Sequence, residues 1–157
     1  MRDKAITTVV CVVACAVAYL IDSPSYAAEY IIGEREETRA YSPAVLTEGG
    51  TIVWLAGVGG RRTEAAGEPI PTDFGEQVHQ VFRNLGATLE RAGGTLQDIV
   101  TMTVFISDVR HGDEFTRIRG EYFEDGYPGS ALITVAGFAN TEYKVEVQAI
   151  AVVGETN

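Results

Sequence analysis

The sequence predicts an α+β domain with the element order ββαβαββ, in which two helices pack on one face of a sheet. Two helical repeats of apolar residues, at 74–92 and 115–123, lie between segments that alternate or run apolar as strands do. Because two helices on one side leave the opposite face of the sheet uncovered by its own chain, an oligomer is also expected.

The first strands are expected at residues 44–46 and Thr51–Ala56, separated by a turn at Gly49-Gly50. The second of these strands contains an unbroken apolar run, Ile52 to Leu55, which predicts burial on both faces. The charged segment Glu29–Arg39 before them predicts a lead-in strand or an exposed lead-in.

The strongest helix signal follows Asp73. Asp73 with Glu76 three residues later is typical of a helix N-cap, and apolar positions then recur at steps of three and four. Gly93-Gly94 predicts the end of this helix, since glycine readily adopts the left-handed geometry of a helix C-terminus. A strand is expected at Ile99–Ile106, followed by a second helix that begins at residue 112 or 113.

Two strands close the chain, at residues 130–135 and 145–153. The second has apolar residues at every other position, with Glu146 and Gln148 on the opposite face. This alternation predicts a strand with one buried face and one polar face, so the polar groups of this strand pair are expected to face a site.

Residues 1–27 have the order of a secretory signal peptide. Two basic residues near the start precede an apolar run from Ala5 to Ile21, and Ser25-Tyr26-Ala27 forms a small-residue cleavage site. The sequence therefore predicts a cleaved signal peptide, a single domain at 28–157 and a periplasmic or secreted location, without membrane contact after cleavage.

Two alternatives remain open for this segment. The apolar run is about 17 residues long, near the lower limit for a transmembrane anchor. Val12-Val13-Ala14-Cys15 also loosely imitates a lipoprotein site. Cys11 and Cys15 are the two cysteines of the chain, so a domain that starts after the segment needs no disulfide.

Composition indicates one acidic domain. A chain of 157 residues with 46% apolar residues can bury one core, and its formal net charge is −10 at pH 7. Nucleic-acid phosphates require clustered Lys and Arg, and the sequence has only the Arg61-Arg62 pair, so no nucleic-acid partner is expected. No metal site is expected either, since His79 and His111 have no partners at ligand spacing.

Several short motifs, spread over Tyr41 to Val153, carry a family resemblance. They are Val81-Phe82-Arg83-Asn84-Leu85, Ala92-Gly93-Gly94, Asp98-Ile99-Val100, Thr103-Val104-Phe105-Ile106-Ser107-Asp108, Tyr122-Phe123, Tyr127-Pro128 and Glu146-Val147-Gln148-Ala149-Ile150-Ala151-Val152. By these motifs the chain resembles the Rid family, also called YjgF or endoribonuclease L-PSP.

The resemblance implies a chorismate-mutase-like fold that closes into a homotrimer, with three small-molecule clefts at the subunit interfaces. It also implies hydrolysis, without a cofactor, of an imine or enamine to a carbonyl compound and ammonia. The alternative is a non-catalytic trimer that binds a small molecule or a partner in the same clefts.

By the same resemblance the cleft residues are Tyr41, Ala56, Gly57, Thr116, Ser130, Leu132 and Gln148. Ser130 and Gln148 are the candidate catalytic positions, but Ser130 stands where the family has a carboxylate-gripping arginine, and Gln148 where it has a glutamate. Both are neutral groups that form hydrogen bonds, which favours a neutral polar ligand and predicts little hydrolysis of 2-imino acids. Arg61 and Arg62, which follow the glycine-rich Gly57–Gly60, are candidate replacements for the missing cation.

Overall fold

The computed structural model describes residues 27–62, 67–124 and 126–154. The strands are β1 (Ala27–Ile31), β2 (Ala44–Glu48), β3 (Thr51–Gly59), β4 (Ile99–Ile106), β5 (Gly129–Thr134) and β6 (Val145–Val153). The helices are α1 (Glu34–Thr38), α2 (Phe74–Arg91) and α3 (Gly112–Gly120), with short 3₁₀ turns at Leu96–Asp98 and Val109–His111. The predicted α+β class and the order of elements from β2 to β6 are confirmed.

A four-stranded sheet in the order β3-β6-β4-β5 forms the centre of the domain. β6 is antiparallel to both of its neighbours, while β4 and β5 are parallel and are joined through α3. The last strand of the chain therefore lies inside the sheet, and β5 lies at one edge.

Helix α2 begins and ends where the sequence predicts. The Asp73 side chain accepts a hydrogen bond from the backbone N–H of Glu76 at 2.9 Å, which satisfies one of the free donors of the first turn. Beyond the last turn, Gly93 has a φ of 80°, and the N–H of Gly94 donates to the carbonyl of Leu89 at 2.9 Å. The apolar stripe between these ends, which includes Val78, Val81, Phe82, Leu85 and Leu89, is fully buried.

Helices α2 and α3 pack on the same face of the sheet. Phe82 of α2 stacks on Tyr122 with ring centroids 4.3 Å apart and lies 6.2 Å from the ring of Phe115 on α3. The sheet contributes the alternate residues Val145, Val147, Ala149 and Ala151 of β6 to this core. The predicted arrangement of two helices on one face is confirmed.

The opposite face of the sheet is open, and this corrects the expectation that β3 is buried on both faces. Trp54 is 75% exposed and Ile52 is 55% exposed, whereas Leu55, which points to the helices, is only 5% exposed. An unbroken apolar run therefore does not show that a strand is buried on both faces within one chain. A large exposed apolar face on a single chain is typical of a surface that binds another protein chain.

Strand β2 lies outside the central sheet, which differs from the predicted single sheet. It pairs antiparallel with β1, with Ala27 opposite Glu48 and Ile31 opposite Ala44. The charged lead-in thus supplies a strand as well as α1, and β2 pairs with this strand rather than with β3.

The predicted signal peptide, with its anchor and lipoprotein alternatives, falls almost entirely on residues 1–26, which lie outside the described residues. Within 27–62, 67–124 and 126–154, no helix is long and apolar enough to cross a membrane.

Candidate functional site

A small cleft lies between the edge strand β5, helix α3 and the segment that joins α1 to β2. Its cavity volume is about 270 Å³, and its lining residues are Arg39, Tyr41, Gly112, Thr116, Arg119, Ser130 and Leu132. Four of the predicted cleft residues, Tyr41, Thr116, Ser130 and Leu132, are therefore brought together.

Alternation along β5 points Ser130 and Leu132 toward α3. Ser130 lies opposite the buried Met102 of β4, and Leu132 lies opposite the buried Val104. At the start of α3, a Cβ on Gly112 would lie 4.0 Å from Leu132 Cδ2, so the helix begins directly beside the strand. One turn later, the Thr116 hydroxyl donates to the Gly112 carbonyl at 2.9 Å, which leaves its oxygen lone pairs to accept from a ligand.

Arg119 of α3 brings a guanidinium group to Ser130. Its Nη1 donates to Ser130 Oγ at 2.5 Å, and its Nη2 donates to the carbonyl oxygen of Arg39 at 2.7 Å. Its guanidinium carbon lies 5.5 Å from the centre of the Phe115 ring. A cation therefore lies beside Ser130, the position at which the family that this chain resembles has an arginine.

Arg119 is almost completely buried, with 3% of its surface exposed. Burial, together with the neighbouring charge of Arg39, lowers the pKa of Arg119 to about 10, so the guanidinium is still charged at neutral pH. Among the described residues, no carboxylate forms an ion pair with it, and its Nε has no hydrogen-bond partner.

The chain turns sharply at Ala40 to bring Arg39 and Tyr41 to the cleft. Ala40 has a φ of 51°, and it is the one non-glycine residue with positive φ in the described part of the chain. Such a backbone costs of order 1–3 kcal/mol and persists only where its surroundings enforce it. Here the turn holds the Arg39 carbonyl where Arg119 donates to it.

Gln148, Ala56 and Gly57 lie elsewhere in the same chain. Gln148 is exposed on the open face of the sheet, where it lines a shallow depression of about 160 Å³ beside Trp54 and Thr103. Ala56 and Gly57 belong to β3, which forms the opposite edge of the sheet from β5. One chain therefore does not bring these three residues to the Ser130 cleft.

Arg61 and Arg62 also follow β3 and do not line the cleft. Arg62 forms an ion pair with Glu68 at 2.6 Å on the surface, and the Arg61 carbonyl accepts from Asn84 Nδ2 at 2.7 Å. The cation that the chain itself places beside Ser130 is Arg119.

The two histidines have structural neighbours. His79 Nδ1 lies 2.8 Å from the Tyr122 hydroxyl, and His111 stacks on Phe74 with ring centroids 4.0 Å apart. Within the described residues, no group of three or more His, Cys, Asp or Glu side chains could hold a metal ion.

Comparison with known proteins gives a family match over most of the chain. Residues 33–153 match the family described as endoribonuclease L-PSP. A RutC family protein of Aquifex aeolicus is 33% identical over 113 residues, which cover 70% of this chain and 87% of that protein. The 2-iminobutanoate/2-iminopropanoate deaminase of Bos taurus is 30% identical over 114 residues, covering 73% of this chain and 80% of that protein.

Solved structures of other proteins have a similar fold to this chain. A Rid-family protein of Yersinia pestis matches with a TM-score of 0.72 at 23% identity, covering 80% of this chain and 98% of that one, and at this identity the match shows the fold alone. RidA of an Antarctic Psychrobacter matches with a TM-score of 0.62 at 27% identity, covering 80% of this chain and 99% of that one.

Proposed function

The chain belongs to the endoribonuclease L-PSP family, also known as the YjgF/RutC or Rid family, and from this premise we propose that it hydrolyses a small imine or enamine. The observation that carries the proposal is the convergence of Tyr41, Thr116 and Ser130 with the Arg119 guanidinium on one cleft. Similarity to deaminases named for 2-iminobutanoate and 2-iminopropanoate supports this choice of substrate class.

The reaction consumes one water and releases one ammonia. Water adds across the C=N bond, with its hydroxyl on carbon and a proton on nitrogen, to give a carbinolamine. The remaining hydroxyl proton then passes to the nitrogen, the C–N bond breaks to release ammonia, and the oxygen forms the C=O bond. The hydroxyls of Tyr41, Thr116 and Ser130 are suited to hydrogen bond the substrate and the polar carbinolamine, because all three can accept and those of Tyr41 and Ser130 can also donate. Cleft residues of this kind need no cofactor.

We propose that a neighbouring copy completes the cleft in a homotrimer. The open face of the sheet carries the exposed apolar residues Ile52, Trp54 and Ile133 beside the polar Gln148. Packing β5 and α3 of one copy near the open face of the next would bring Gln148 toward Ser130, where its amide could position the attacking water. Burial of the apolar residues would stabilise the assembly.

One observation favours a second function, the binding of a small molecule without turnover. The described lining of the cleft contains no carboxylate and no histidine, so this chain's own lining offers no ordinary general base near neutral pH. We propose the catalytic function first and the non-catalytic trimer second.

Ammonia release from freshly generated 2-iminobutanoate tests the proposal. The purified chain from Glu29 onward should accelerate release beyond the spontaneous rate, and Ser130→Ala should lower this acceleration. Ser107→Ala is the matched control, because Ser107 is an exposed serine at the end of β4 and does not line the cleft. Absence of any acceleration, with 2-oxobutanoate still bound, would leave the non-catalytic function.

A further inference from the structure

Arg119 is a buried charge that has no counter-ion among the described residues. The hydrogen-bond acceptors it has are neutral, the Ser130 hydroxyl and the Arg39 carbonyl. Burial lowers the pKa of Arg119 most, and the second cation Arg39, which itself pairs with Asp113 at 2.7 Å, lowers it as well, whereas Tyr127 and Tyr41 raise it. A buried ion that lacks an opposite charge is costly, so the position of this guanidinium is electrostatically unfavourable.

A purely structural role explains only part of this arrangement. The two hydrogen bonds do connect α3 to β5 and to the turn at Ala40, but neutral donors can form such bonds without the cost of burying a charge. Nε remains buried with no partner in the described residues, which a side chain selected only as a connector would not require. The uncompensated charge of Arg119 therefore indicates a binding site for an anion.

We propose that Arg119 is the anion-binding residue of this cleft and that its ligand carries a carboxylate. The inference rests on the site of the proposed function and reverses the expectation, drawn from Ser130 and Gln148, of a neutral ligand. Ser130 and the Arg39 carbonyl act as positioning groups, because they fix the plane of the guanidinium through two of its nitrogens. A planar guanidinium held in this way matches the planar carboxylate group.

The cleft also limits the size of this ligand. Its volume of about 270 Å³ corresponds to roughly nine times the share of volume that one water has in the liquid. Leu132 and the ring of Tyr41 supply apolar surface beside the charge. A monocarboxylate with a short apolar tail fits these features.

Calorimetric titration with 2-oxobutanoate and its neutral analogue 2-oxobutanamide tests the assignment. The wild-type chain should bind the carboxylate about ten- to a hundred-fold more tightly than the amide, the range expected for one charge-assisted hydrogen bond. Arg119→Gln should abolish this preference, and Arg119→Lys should keep part of it. Arg117→Gln is the matched control, since Arg117 lies on the same helix with its side chain 64% exposed and pairs with Glu121.

Two results would overturn the proposal: equal affinity of the wild type for acid and amide, or an unchanged preference in folded Arg119→Gln. If Arg119→Gln does not fold, the wild-type comparison still decides, together with Ser130→Ala, which should weaken the preference by releasing Nη1. Imine hydrolysis that is indifferent to Arg119 would overturn this inference and keep the proposed function. Carboxylate binding without hydrolysis would keep the inference and overturn the proposed function.

Discussion

Ser130 and Gln148 point to opposite faces of the same sheet. Both residues pair with β4, Ser130 of β5 with Met102 and Gln148 of β6 with Thr103. Met102 and Thr103 are consecutive residues of β4. Successive side chains of a strand alternate between faces, so Ser130 points to the helices and Gln148 points away from them. These two residues can meet in one cleft only if they come from different copies of the chain.

Mixing two inactive variants tests this arrangement. Arg119→Gln and Gln148→Ala should each lose imine hydrolysis as pure proteins, because each removes one side of the shared cleft. When the two chains are refolded together in equal amounts, about a quarter of the clefts in a randomly assembled ring should receive both native residues. We expect ammonia release to recover accordingly, and a mixture no more active than its components would contradict a shared cleft.

Moving the arginine between elements tests whether position or charge alone determines anion binding. Ser130→Arg by itself should weaken the fold and give no gain in 2-oxobutanoate affinity, because the new guanidinium meets the charge of Arg119. The double change Arg119→Gln with Ser130→Arg should restore the preference for acid over amide that Arg119→Gln loses. Calorimetric titration of the three variants measures their affinities for 2-oxobutanoate and 2-oxobutanamide. A double variant that binds the acid no better than Arg119→Gln would refute the idea that an arginine at either position serves as the anion-binding group.

Trp54 offers a test of the trimer. Trp54→Ser removes a large apolar side chain from the open face and should shift the chain toward monomer in light scattering at micromolar concentration. Val109→Ser is the matched control, because Val109 is similarly exposed, at 72% against 75% for Trp54, but lies outside the strands of the sheet. A wild-type chain that is already monomeric at this concentration would be evidence against the assembly.

Gln77 predicts an effect on stability. It is fully buried on α2, where its Nε2 donates to the carbonyls of Pro71 and Glu142 at 2.7 and 2.9 Å, and its Oε1 accepts from the Lys144 N–H at 2.9 Å. Gln77→Leu leaves these backbone groups without partners, so we expect the free energy of unfolding to fall by at least about 2 kcal/mol.

The control for this change is Gln97→Leu. Gln97 also bonds two backbone groups, the Tyr122 carbonyl at 2.8 Å and the Glu124 N–H at 3.2 Å, but it is exposed. Water can replace its bonds, so the loss should stay below about 1 kcal/mol. Urea denaturation at one fixed protein concentration compares the two variants, and equal losses would show that burial of Gln77 adds nothing.

Export predicts a defined N-terminus. If residues 1–27 are a signal peptide, the protein isolated from the producing cell should begin near Ala28 or Glu29, and Edman sequencing reads this directly. Such a chain keeps the pairs Glu29–Leu46 to Ile31–Ala44 of the β1–β2 hairpin. Intact Met1 on cytoplasmic protein would refute export.

The regular elements could be predicted because their signals are local. The Asp73 cap, the glycines after α2 and the alternation along β6 each act within a few residues, and all three appear in the structure as expected. The charged segment was expected to form a lead-in strand or an exposed lead-in, but the pairing of β2 with β1 was missed because the charges do not indicate which strand it pairs with.

The main residue missed at the site is Arg119, although one signal was available. It lies four residues after Phe115 and three before Tyr122, so helical spacing places it on the face predicted to be buried. A charged residue on such a face is uncommon and marks a candidate site. What the sequence cannot give is the strained turn at Ala40, which brings the Arg39 carbonyl to this guanidinium.

The position of β6 has a consequence for biosynthesis. This strand is made after the other strands of the sheet, yet it lies between β3 and β4, and its Val153 pairs with Thr51 about one hundred residues earlier. Until it is synthesised, β3 has no partner in the central sheet and β4 lacks one of its two neighbours. The native sheet therefore cannot be completed until β6 has been made, and its two central pairings form after the helices that cover them have been synthesised.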